Sequence, residues 1–505
     1  MTATLASGSL FQTLSRHFPG DAAQPFLITP TQTWSYGDLI AASAKTARAL
    51  ASLGVKPGER VAVQVEKSAQ ALMLFFGVNR LGAVYLPLNT AYTTAEVSYF
   101  LSDAEPALVV VDPARAEAIA AVAGQARVLT LDTQGHGSLW DAVAAADDAP
   151  CDIFCNGDDL AAILYTSGTT GRSKGAMLSH RNLASNAATL VDYWRFTSSD
   201  VLLHALPIFH THGLFVATNI IAMAGASMIF LPKFDIDEIM RTLPQATTMM
   251  GVPTFYSRLL AHPNFSRATV AHMRLLISGS APLSAEVHKE FTARTGHKIL
   301  ERYGMTETNM NTSNPYDGDR IPGSVGLPLP GISVRVADPE SGRVLGVGEI
   351  GVVEIKGPNV FMGYWRQPEK TATEFRADGY FISGDLGYFD DQGYLYLVGR
   401  GKDLIITGGF NVYPAEIETA LDALPEISES AVIGLPHQDF GEAVTAVVVA
   451  KGVIDETKIQ HTLGETLAKF KVPKRVLVLD ELPRNAMGKI QKNALRERYK
   501  SLYEC

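Results

Sequence analysis

Long apolar runs, cysteine and excess positive charge are missing from this sequence or scarce in it. No apolar run reaches the roughly 20 residues that a membrane-spanning helix needs, and the first residues lack the basic and apolar segments of a signal peptide. The three cysteines, Cys151, Cys155 and Cys505, do not form a set with zinc-site spacing. We therefore expect a protein of a reducing compartment, most simply the cytoplasm, without a membrane partner.

The balance of charge argues against a further class of partner. The chain carries 43 lysines and arginines against 52 aspartates and glutamates, a formal net charge of -9. Because such a surface repels a phosphate backbone, we expect no nucleic-acid partner. With 505 residues, of which 47% are hydrophobic, the chain can form an ordinary globular protein of two or more domains.

Strand-like and helix-like patterns alternate through the first part of the chain. Segments 61–65, 83–86, 227–231 and 274–278 are short apolar runs, separated by amphipathic stretches that begin at capping residues. This alternation is typical of parallel sheets covered by helices, which is an α/β architecture.

The pattern changes after a glycine- and proline-rich stretch at 322–331. Period-two segments follow it, and they suit a small antiparallel β-barrel over about 322–398. After a glycine-containing linker, the remaining segments suit a small α+β domain. We predict a large N-terminal α/β domain over residues 1–400 and a small C-terminal domain over 401–505.

One loop offers the chemistry of a phosphate-binding site. The apolar run 160–164 predicts a buried strand, and hydroxyls, glycines and a lysine follow it directly. Glycine lets backbone amides approach an anion, while hydroxyls and lysine supply further donors and a charge. The loop is not the common P-loop, because Ser173 stands where the second glycine of G-x-x-x-x-G-K-[ST] would be. An isolated loop of this kind is also compatible with a polar surface turn. The expected phosphate contacts are Thr166, Ser167, Gly168, Thr169, Thr170, Gly171 and Lys174.

Further strings combine groups that suit a nucleotide. Segment 301–307, Glu-Arg-Tyr-Gly-Met-Thr-Glu, supplies a flat ring for stacking, a hydroxyl for a phosphate and a carboxylate for a hard cation. Segment 383–385, Ser-Gly-Asp, offers a carboxylate that can accept bonds from ribose hydroxyls. Segment 277–283 is a small-residue turn, and the loop 483–489 ends in a lysine. Each string alone is compatible with an ordinary turn, but their occurrence in one chain favours a nucleotide site.

Together these strings resemble the motifs of the adenylate-forming superfamily, which includes acyl-CoA synthetases, stand-alone adenylation domains and beetle luciferases. Seven such motifs occur in the family's order over residues 160–490, with one departure, Ser173 in place of the usual proline. The resemblance implies a large N-terminal domain with two helix-covered sheets and a barrel, plus a mobile C-terminal lid. It also implies two half-reactions: a carboxylate and ATP give an acyl-adenylate and pyrophosphate, and a thiol then displaces AMP.

The resemblance also assigns roles to single residues. Lys489 would stabilise charge as the adenylate forms, Thr306 would lie near the α-phosphate, and Glu307 would hold Mg²⁺. Lys402 corresponds to the hinge of the lid. The implied ATP contacts outside the phosphate loop are Gly279, Ser280, Ala281, Pro282, Glu301, Arg302, Tyr303, Gly304, Met305, Thr306, Asp385, Arg400 and Lys489. The implied wall of the tunnel for CoA comprises Gly408, Gly409 and Phe410. The lysine that corresponds to Lys489 is acetylated in relatives. A lysine acetyltransferase is therefore an expected partner of Lys489.

The residues of the acyl pocket determine which acid is the substrate. On this interpretation, the pocket contains two arginines. An unpaired guanidinium in a water-poor pocket is costly, so Arg258 and Arg302 should receive an anion. Malonate, a short acid with a second carboxylate, fits best, and the overall sequence is similar to bacterial malonyl-CoA synthetases. The implied pocket residues are His210, which is also expected to be catalytic, Arg258, Ser278, Arg302, Gly304 and Met305.

Three alternatives stay open. In the first, both arginines pair with protein acids or face solvent, and the enzyme is a short-chain acyl-CoA ligase of other specificity. In the second, the chain is an adenylation domain that loads a carrier protein, although no carrier segment or Asp-Ser-Leu site is expected at its end. In the third, it binds acyl-adenylates without catalysis, which the presence of Glu307, Asp385, Arg400 and Lys489 argues against.

Overall fold

The computed structural model describes residues 8–147, 153–166, 173–407, 410–437, 439–485 and 488–503. Among these residues, nine strands form one mixed sheet. Its order is Leu327–Pro328, Asn309–Ser313, Leu300–Met305, Leu275–Ser278, Thr248–Gly251, Val201–His204, Ser227–Phe230, Pro25–Ile28 and Thr33–Ser35. The six central strands are parallel, and the pairings toward the two edges are antiparallel. Parallel strands of this kind are buried on both faces because helices cover them.

A second mixed sheet carries the phosphate loop. Its described strands have the order Gly363–Tyr364, Lys174–Ser179, Leu160–Thr166, Val84–Pro87, Arg60–Gln64, Leu108–Val111 and Arg127–Thr130. Leu160–Thr166 and Lys174–Ser179 pair antiparallel, with Thr166 opposite Lys174. The glycine-rich segment therefore connects two strands, and both of its ends are fixed by the sheet.

Helices cover both sheets of the large domain, and several begin at side-chain caps. Ser35 and Thr93 form capping boxes with Asp38 and Glu96, as the sequence predicts. The α-helices of the large domain are Leu10–Ser15, Tyr36–Ser52, Ala69–Arg80, Thr94–Ala104, Ala116–Ala120, Ser138–Ala145, His180–Tyr193, Asn219–Ala224, Ile236–Thr242, Pro253–Ala261, Arg267–Val270, Ala285–Thr295 and Pro368–Thr373. A π-helix, His212–Thr218, precedes one of them.

The segment expected to form a barrel contains an antiparallel sheet. Four described strands pair in the order Ser333–Ala337, Gly351–Lys356, Phe381–Phe389 and Leu395–Arg400. The first and last of these strands are not paired with each other among the described residues.

The C-terminal part has a sheet of its own. It contains the described strands Phe410–Val412, Ile405–Thr407, Gly441–Ala450, Ile427–His437 and Arg475–Val478. Its α-helices are Pro414–Asp422, Glu456–Thr466 and Lys492–Tyr499. The predicted α/β class with a smaller C-terminal domain is confirmed, and the predicted boundary at 400/401 lies between strands of two different sheets. The helices of the described ranges include none that is both long and apolar enough to cross a membrane.

Candidate active site

The two ends of the phosphate loop lie beside the 301–307 motif. Thr166 donates a hydrogen bond from Oγ1 to Oε1 of Glu307 over 3.2 Å, and the Tyr364 hydroxyl donates to the same oxygen over 3.2 Å. Burial raises the pKa of Glu307. Glu307 has no ion-pair partner among the residues that the structure describes, and a buried carboxylate beside the predicted phosphate loop is a suitable ligand for a cation brought by a nucleotide.

Lys174, at the other end of the loop, is buried against the same group. Its Nζ lies 4.1 Å from the centre of the Tyr364 ring and 3.5 Å from Oε1 of Glu374. The predicted contacts Ser167, Gly168, Thr169, Thr170 and Gly171 lie outside the described residues. Tyr364 and Glu374 were missed by sequence reasoning, because neither belongs to a recognisable motif.

The predicted adenosine-binding residues Tyr303, Asp385 and Arg400 come together. The Tyr303 hydroxyl donates to Oδ2 of Asp385 over 2.5 Å, and Nε of Arg400 lies 2.9 Å from Oδ1 of the same carboxylate. Burial and the Asp385 carboxylate raise the pKa of Tyr303, so the phenol stays protonated. Strand Leu300–Met305 brings Tyr303 to this point, while the antiparallel pair Phe381–Phe389 and Leu395–Arg400 places Asp385 opposite Arg400. Gly304, Met305 and Thr306 follow Tyr303 and are half-buried.

Lys489 reaches the same region from the C-terminal domain. Its backbone N–H donates to Oδ1 of Asn485 over 3.0 Å, which fixes the end of its loop. The surrounding protein and the nearby Arg400 and Lys402 lower the pKa of Lys489, while Asp385 acts in the opposite direction. The preceding Gly488 lies against the large domain, since a Cβ there would be 3.3 Å from Oγ1 of Thr254. This arrangement of the two domains therefore brings Lys489 near Arg400 and Asp385, and its role as a charge contact stays a prediction.

Arg302 lies in the interior with most of its guanidinium unpartnered. The residue is only 4% exposed, and neither Nε nor Nη2 has a hydrogen-bond partner among the described residues. Burial lowers the pKa of Arg302 to about 9, far below that of a free arginine. Such an arrangement is unfavourable unless an anion enters the pocket.

Gly279 makes room for this guanidinium. A Cβ at Gly279 would lie 2.3 Å from Cζ of Arg302 and 2.5 Å from two of its nitrogens. The sequence assigned Gly279 to ATP, but the structure shows that its missing side chain also admits Arg302. The next residue, Ser280, has a left-handed backbone with φ 72°, which is uncommon outside glycine. Ala281 is half-buried and Pro282 is exposed.

Two more polar atoms in this region are buried without partners among the described residues, Oγ of Ser278 and Nε2 of His212. His212 contacts Oγ of Ser280 through Nδ1 at 3.1 Å. The predicted His210 lies near Arg302 and Lys489; burial and these two cations lower its pKa to about 4, so it is neutral at pH 7. His212 was missed by sequence reasoning, although its position two residues after His210 was a usable signal. Neutral imidazoles, a hydroxyl and a guanidinium form a pocket rich in donors for an acid.

Two predicted residues lie elsewhere. Arg258 is exposed, and its guanidinium lies over the Phe234 ring at 5.6 Å from the ring centre, so the structure does not provide the buried Arg258–Arg302 pair that the sequence suggested. Tyr256 shows why: it points inward to donate to the Ile277 carbonyl over 2.6 Å, and a residue two positions later on a helix points away. Glu301 is buried and accepts a bond from the Gly323 amide over 3.3 Å, and burial raises its pKa to about 8.

The predicted hinge lies between the last strand of the large domain and the first strand of the small one. Lys402 is exposed in a short 3₁₀ turn, Gly401–Asp403. The Asp403 carboxylate pairs with Nη2 of Arg496 over 2.7 Å. Phe410 is exposed and stacks on Phe470 with ring centres 4.5 Å apart. Gly408 and Gly409 lie outside the described residues.

These features agree with the comparison against known families. Residues 11–365 match the model of the AMP-binding enzyme, and residues 416–489 match that of the AMP-binding enzyme C-terminal domain. The chain belongs to the AMP-binding enzyme family.

Within this family, the chain is similar to MatB from Rhodopseudomonas palustris. The ATP-bound MatB structure is 59% identical, with a TM-score of 0.97 over 99% of this chain and 100% of that one. The apo structure of MatB has the same identity and coverage but a TM-score of 0.85. The arrangement of this chain is therefore closer to the ATP-bound form.

Curated relatives act on different acids. A malonate–CoA ligase from Arabidopsis thaliana is 36% identical over 481 residues, which is 88% of this chain and 78% of the relative. A feruloyl-CoA synthase from an Amycolatopsis species is 37% identical over 472 residues, which is 92% of this chain and 94% of the relative. Overall identity alone therefore does not decide the acid.

Proposed function

We propose that this protein is an ATP-dependent, AMP-forming acid–CoA ligase that makes malonyl-CoA from malonate, ATP and CoA. The observation that carries the choice of malonate is Arg302, a buried guanidinium near His212 with two nitrogens that lack a partner in the described part of the chain. One carboxylate of malonate reacts, and the other has the charge and size to pair with Arg302. The malonate–CoA ligase among the relatives supports the same acid.

In the first half-reaction, a carboxylate oxygen of malonate attacks the α-phosphorus of ATP. The bond to the bridging oxygen of the β-phosphate breaks, and pyrophosphate leaves with the electron pair. Tyr303, Asp385 and Arg400 bind the adenosine, and Lys489 places a positive charge against the α-phosphate as the adenylate forms. The chain needs no covalent nucleophile for this step.

Mg²⁺ is the metal that this chemistry needs, and the residues fit it. No group of three or more histidine, cysteine or acidic side chains suited to a metal lies among the described residues, so a cage built by the protein alone is not found there. Mg²⁺ carried on triphosphate needs only one or two carboxylates. Glu307 would hold it, and bound Mg²⁺ neutralises charge on the phosphates.

In the second half-reaction, the sulfur of CoA attacks the carbonyl carbon of the adenylate, the acyl–phosphate bond breaks, and AMP leaves. The thiol proton is lost to solvent or to a neighbouring base. Lys489 lies near Arg400 and Asp385 in the present arrangement. On this proposal the C-terminal domain moves between the two steps, and Lys402 is the proposed hinge. Gly408, Gly409 and Phe410 are the proposed wall of the CoA tunnel.

The decisive experiment measures pyrophosphate release with malonate, with and without free CoA. We expect slow or single-turnover release without CoA, and steady turnover with formation of malonyl-CoA when CoA is present. Turnover with butyrate but not malonate would favour a short-chain acyl-CoA ligase of other specificity. Malonyl-adenylate formation without transfer to CoA would favour an adenylation domain that loads a carrier protein.

Two further expectations stay predictions. A cytoplasmic location rests on the composition of the sequence. Recognition of the Lys489 loop by a lysine acetyltransferase rests on the family resemblance, and mass spectrometry of the purified protein tests it.

A further inference from the structure

A large cleft separates the two domains on a side that the reaction site does not use. Its volume is about 920 Å³, and its walls come from both domains. The nucleotide-binding residues Tyr303, Asp385 and Arg400 are not among the residues that line it, and neither is Arg302. This volume is in the range of sites that hold cofactor-sized ligands.

One wall, on the large domain, presents two exposed cations around an aromatic ring. Lys233 and Arg258 are exposed, and neither has a carboxylate ion-pair partner among the described residues. Phe234 lies beside them, under the Arg258 guanidinium, and its ring is held against Phe255 with centres 4.1 Å apart. We call Lys233, Phe234 and Arg258 the basic face.

Hydrogen bonds hold the floor of the cleft together. Lys67 is buried there, and its Nζ lies 2.8 Å from Nδ1 of His204 and donates to the His204 carbonyl over 2.8 Å. These bonds fix the loop after strand Arg60–Gln64 to the end of strand Val201–His204. The basic face therefore stands on a preformed support.

The opposite wall, on the C-terminal domain, is acidic. It presents Glu429, Asp480 and Glu481, and among the described residues only Glu429 is paired with a cation of the wall, Arg484 at 2.6 Å. In the present arrangement an acidic edge thus faces the basic face across the cleft. These carboxylates would repel an anion that approaches the basic face in the present arrangement.

The inner end of the cleft adjoins the reaction site. Phe209 and Gly488 line it, and their covalent neighbours His210 and Lys489 belong to that site. A ligand held at the basic face can therefore extend a narrow arm toward the acyl group.

We propose that the basic face docks the phosphorylated nucleotide of CoA, with Lys233 and Arg258 on its phosphates and the adenine ring at Phe234. CoA matches each feature: it carries several negative charges on one end, a flat ring beside them, and a long arm that ends in the thiol. The inference rests on CoA as the acceptor in the proposed function, and not on malonate as the acid. It also gives exposed Arg258 a role that the acyl pocket does not.

The test compares KM for CoA in the wild type, Lys233→Ala and Arg258→Ala, with malonate and ATP saturating. We expect KM for CoA to rise about tenfold or more in each variant, with the KM values for ATP and malonate and the ATP–pyrophosphate exchange rate retained. Lys56→Ala is the matched control, because Lys56 is exposed and does not line the cleft. The conservative variant Lys233→Arg should keep most of the CoA affinity.

A second measurement uses CoA that lacks its 3′-phosphate. If one of the two cations binds this phosphate, its alanine variant should lose less affinity for dephospho-CoA than for CoA. An unchanged KM for CoA in both variants would overturn the docking site. If ATP–pyrophosphate exchange with malonate is intact in these variants, the proposed function is unaffected by that result. A raised KM for malonate in Arg258→Ala would indicate that Arg258 binds malonate, and it would also overturn the proposal. Loss of exchange in both variants would mean that the two cations are structural.

Discussion

Replacing Arg302 by methionine removes one buried charge while keeping a long side chain. The wild-type residue is 4% exposed, and two of its guanidinium nitrogens have no partner among the described residues. Gly279 lies directly against the guanidinium, so the group has little freedom to move to another partner. The pocket therefore holds a cation that is stabilised only when an anion is bound.

The size of the effect follows from the burial. The fall in the pKa of Arg302 to about 9, well below that of a free arginine, is worth on the order of 4 kcal/mol at about 1.4 kcal/mol per pH unit. A bound carboxylate offsets this cost and adds charge-assisted hydrogen bonds. Breaking such a desolvated pair costs about 2–5 kcal/mol, which is about 30- to 5,000-fold in kcat/KM. We expect Arg302→Met to lose malonate activity within this range.

Butyrate is the comparison substrate, because it has an uncharged ethyl group where malonate has its second carboxylate. Arg302→Met should keep or improve kcat/KM for butyrate, since an unpaired cation has been removed. The KM for ATP must be followed as well, because Tyr303 is the next residue in the chain. Parallel losses of kcat/KM on both acids would refute the reasoning, because Arg302 would then have a structural role. The choice of malonate as the substrate would be wrong, but the assignment as an acid–CoA ligase would be unaffected.

Two other substitutions test the remaining parts of the site, and a third tests a partly buried carboxyl of the C-terminal domain. Lys489→Ala should slow adenylation by about 10²- to 10³-fold but spare thioester formation from supplied malonyl-adenylate; equal loss in both half-reactions would contradict its role. Lys402→Pro should do the reverse, because proline fixes φ and removes an N–H where a hinge must change its backbone angles; a variant impaired only in adenylation would place the hinge elsewhere. Asp422→Asn should change the dependence of stability on pH. Burial and the neighbouring Glu418 and Glu286 raise the pKa of Asp422 to about 7, so protonation favours the folded state, and the wild type should lose stability as pH rises through 7. Thermal unfolding at pH 6 and pH 8 should show a fall of on the order of 1–3 °C that the variant lacks; identical slopes would show that this carboxyl does not contribute.

Features that depend on a few neighbouring residues could be predicted from the sequence. The capping box of Ser35 with Asp38 forms as expected, because its two bonds join residues three positions apart. The strand before the phosphate loop and the α/β alternation follow from local apolar runs. Tyr303 and Asp385 were found because each lies in a short string with a recognisable order.

Contacts between distant segments could not be predicted in this way. The bond from Thr166 to Glu307 joins residues 141 positions apart, and Tyr364 reaches the same carboxylate from another strand. Such contacts depend on the register of two sheets, which no local pattern contains. The misplacement of Arg258 is different, because the signal was present. Tyr256 is the apolar neighbour that points inward on this helix, and helical geometry at about 100° per residue puts Arg258, two positions later, on the opposite side.

On the proposed function, the charges around Lys489 favour a movement of the domains between the half-reactions. Its ammonium lies near the cations Arg400 and Lys402 and near the carboxylates Asp385 and Asp403, and Asp385 pairs with Arg400. While ATP is bound, its triphosphate also attracts Lys489. When pyrophosphate leaves, most of this added negative charge leaves with it, so the attraction on Lys489 weakens. On the proposed function, the chemistry of the first step therefore weakens the contact that holds the C-terminal domain in place, and its departure uncovers the basic face for CoA.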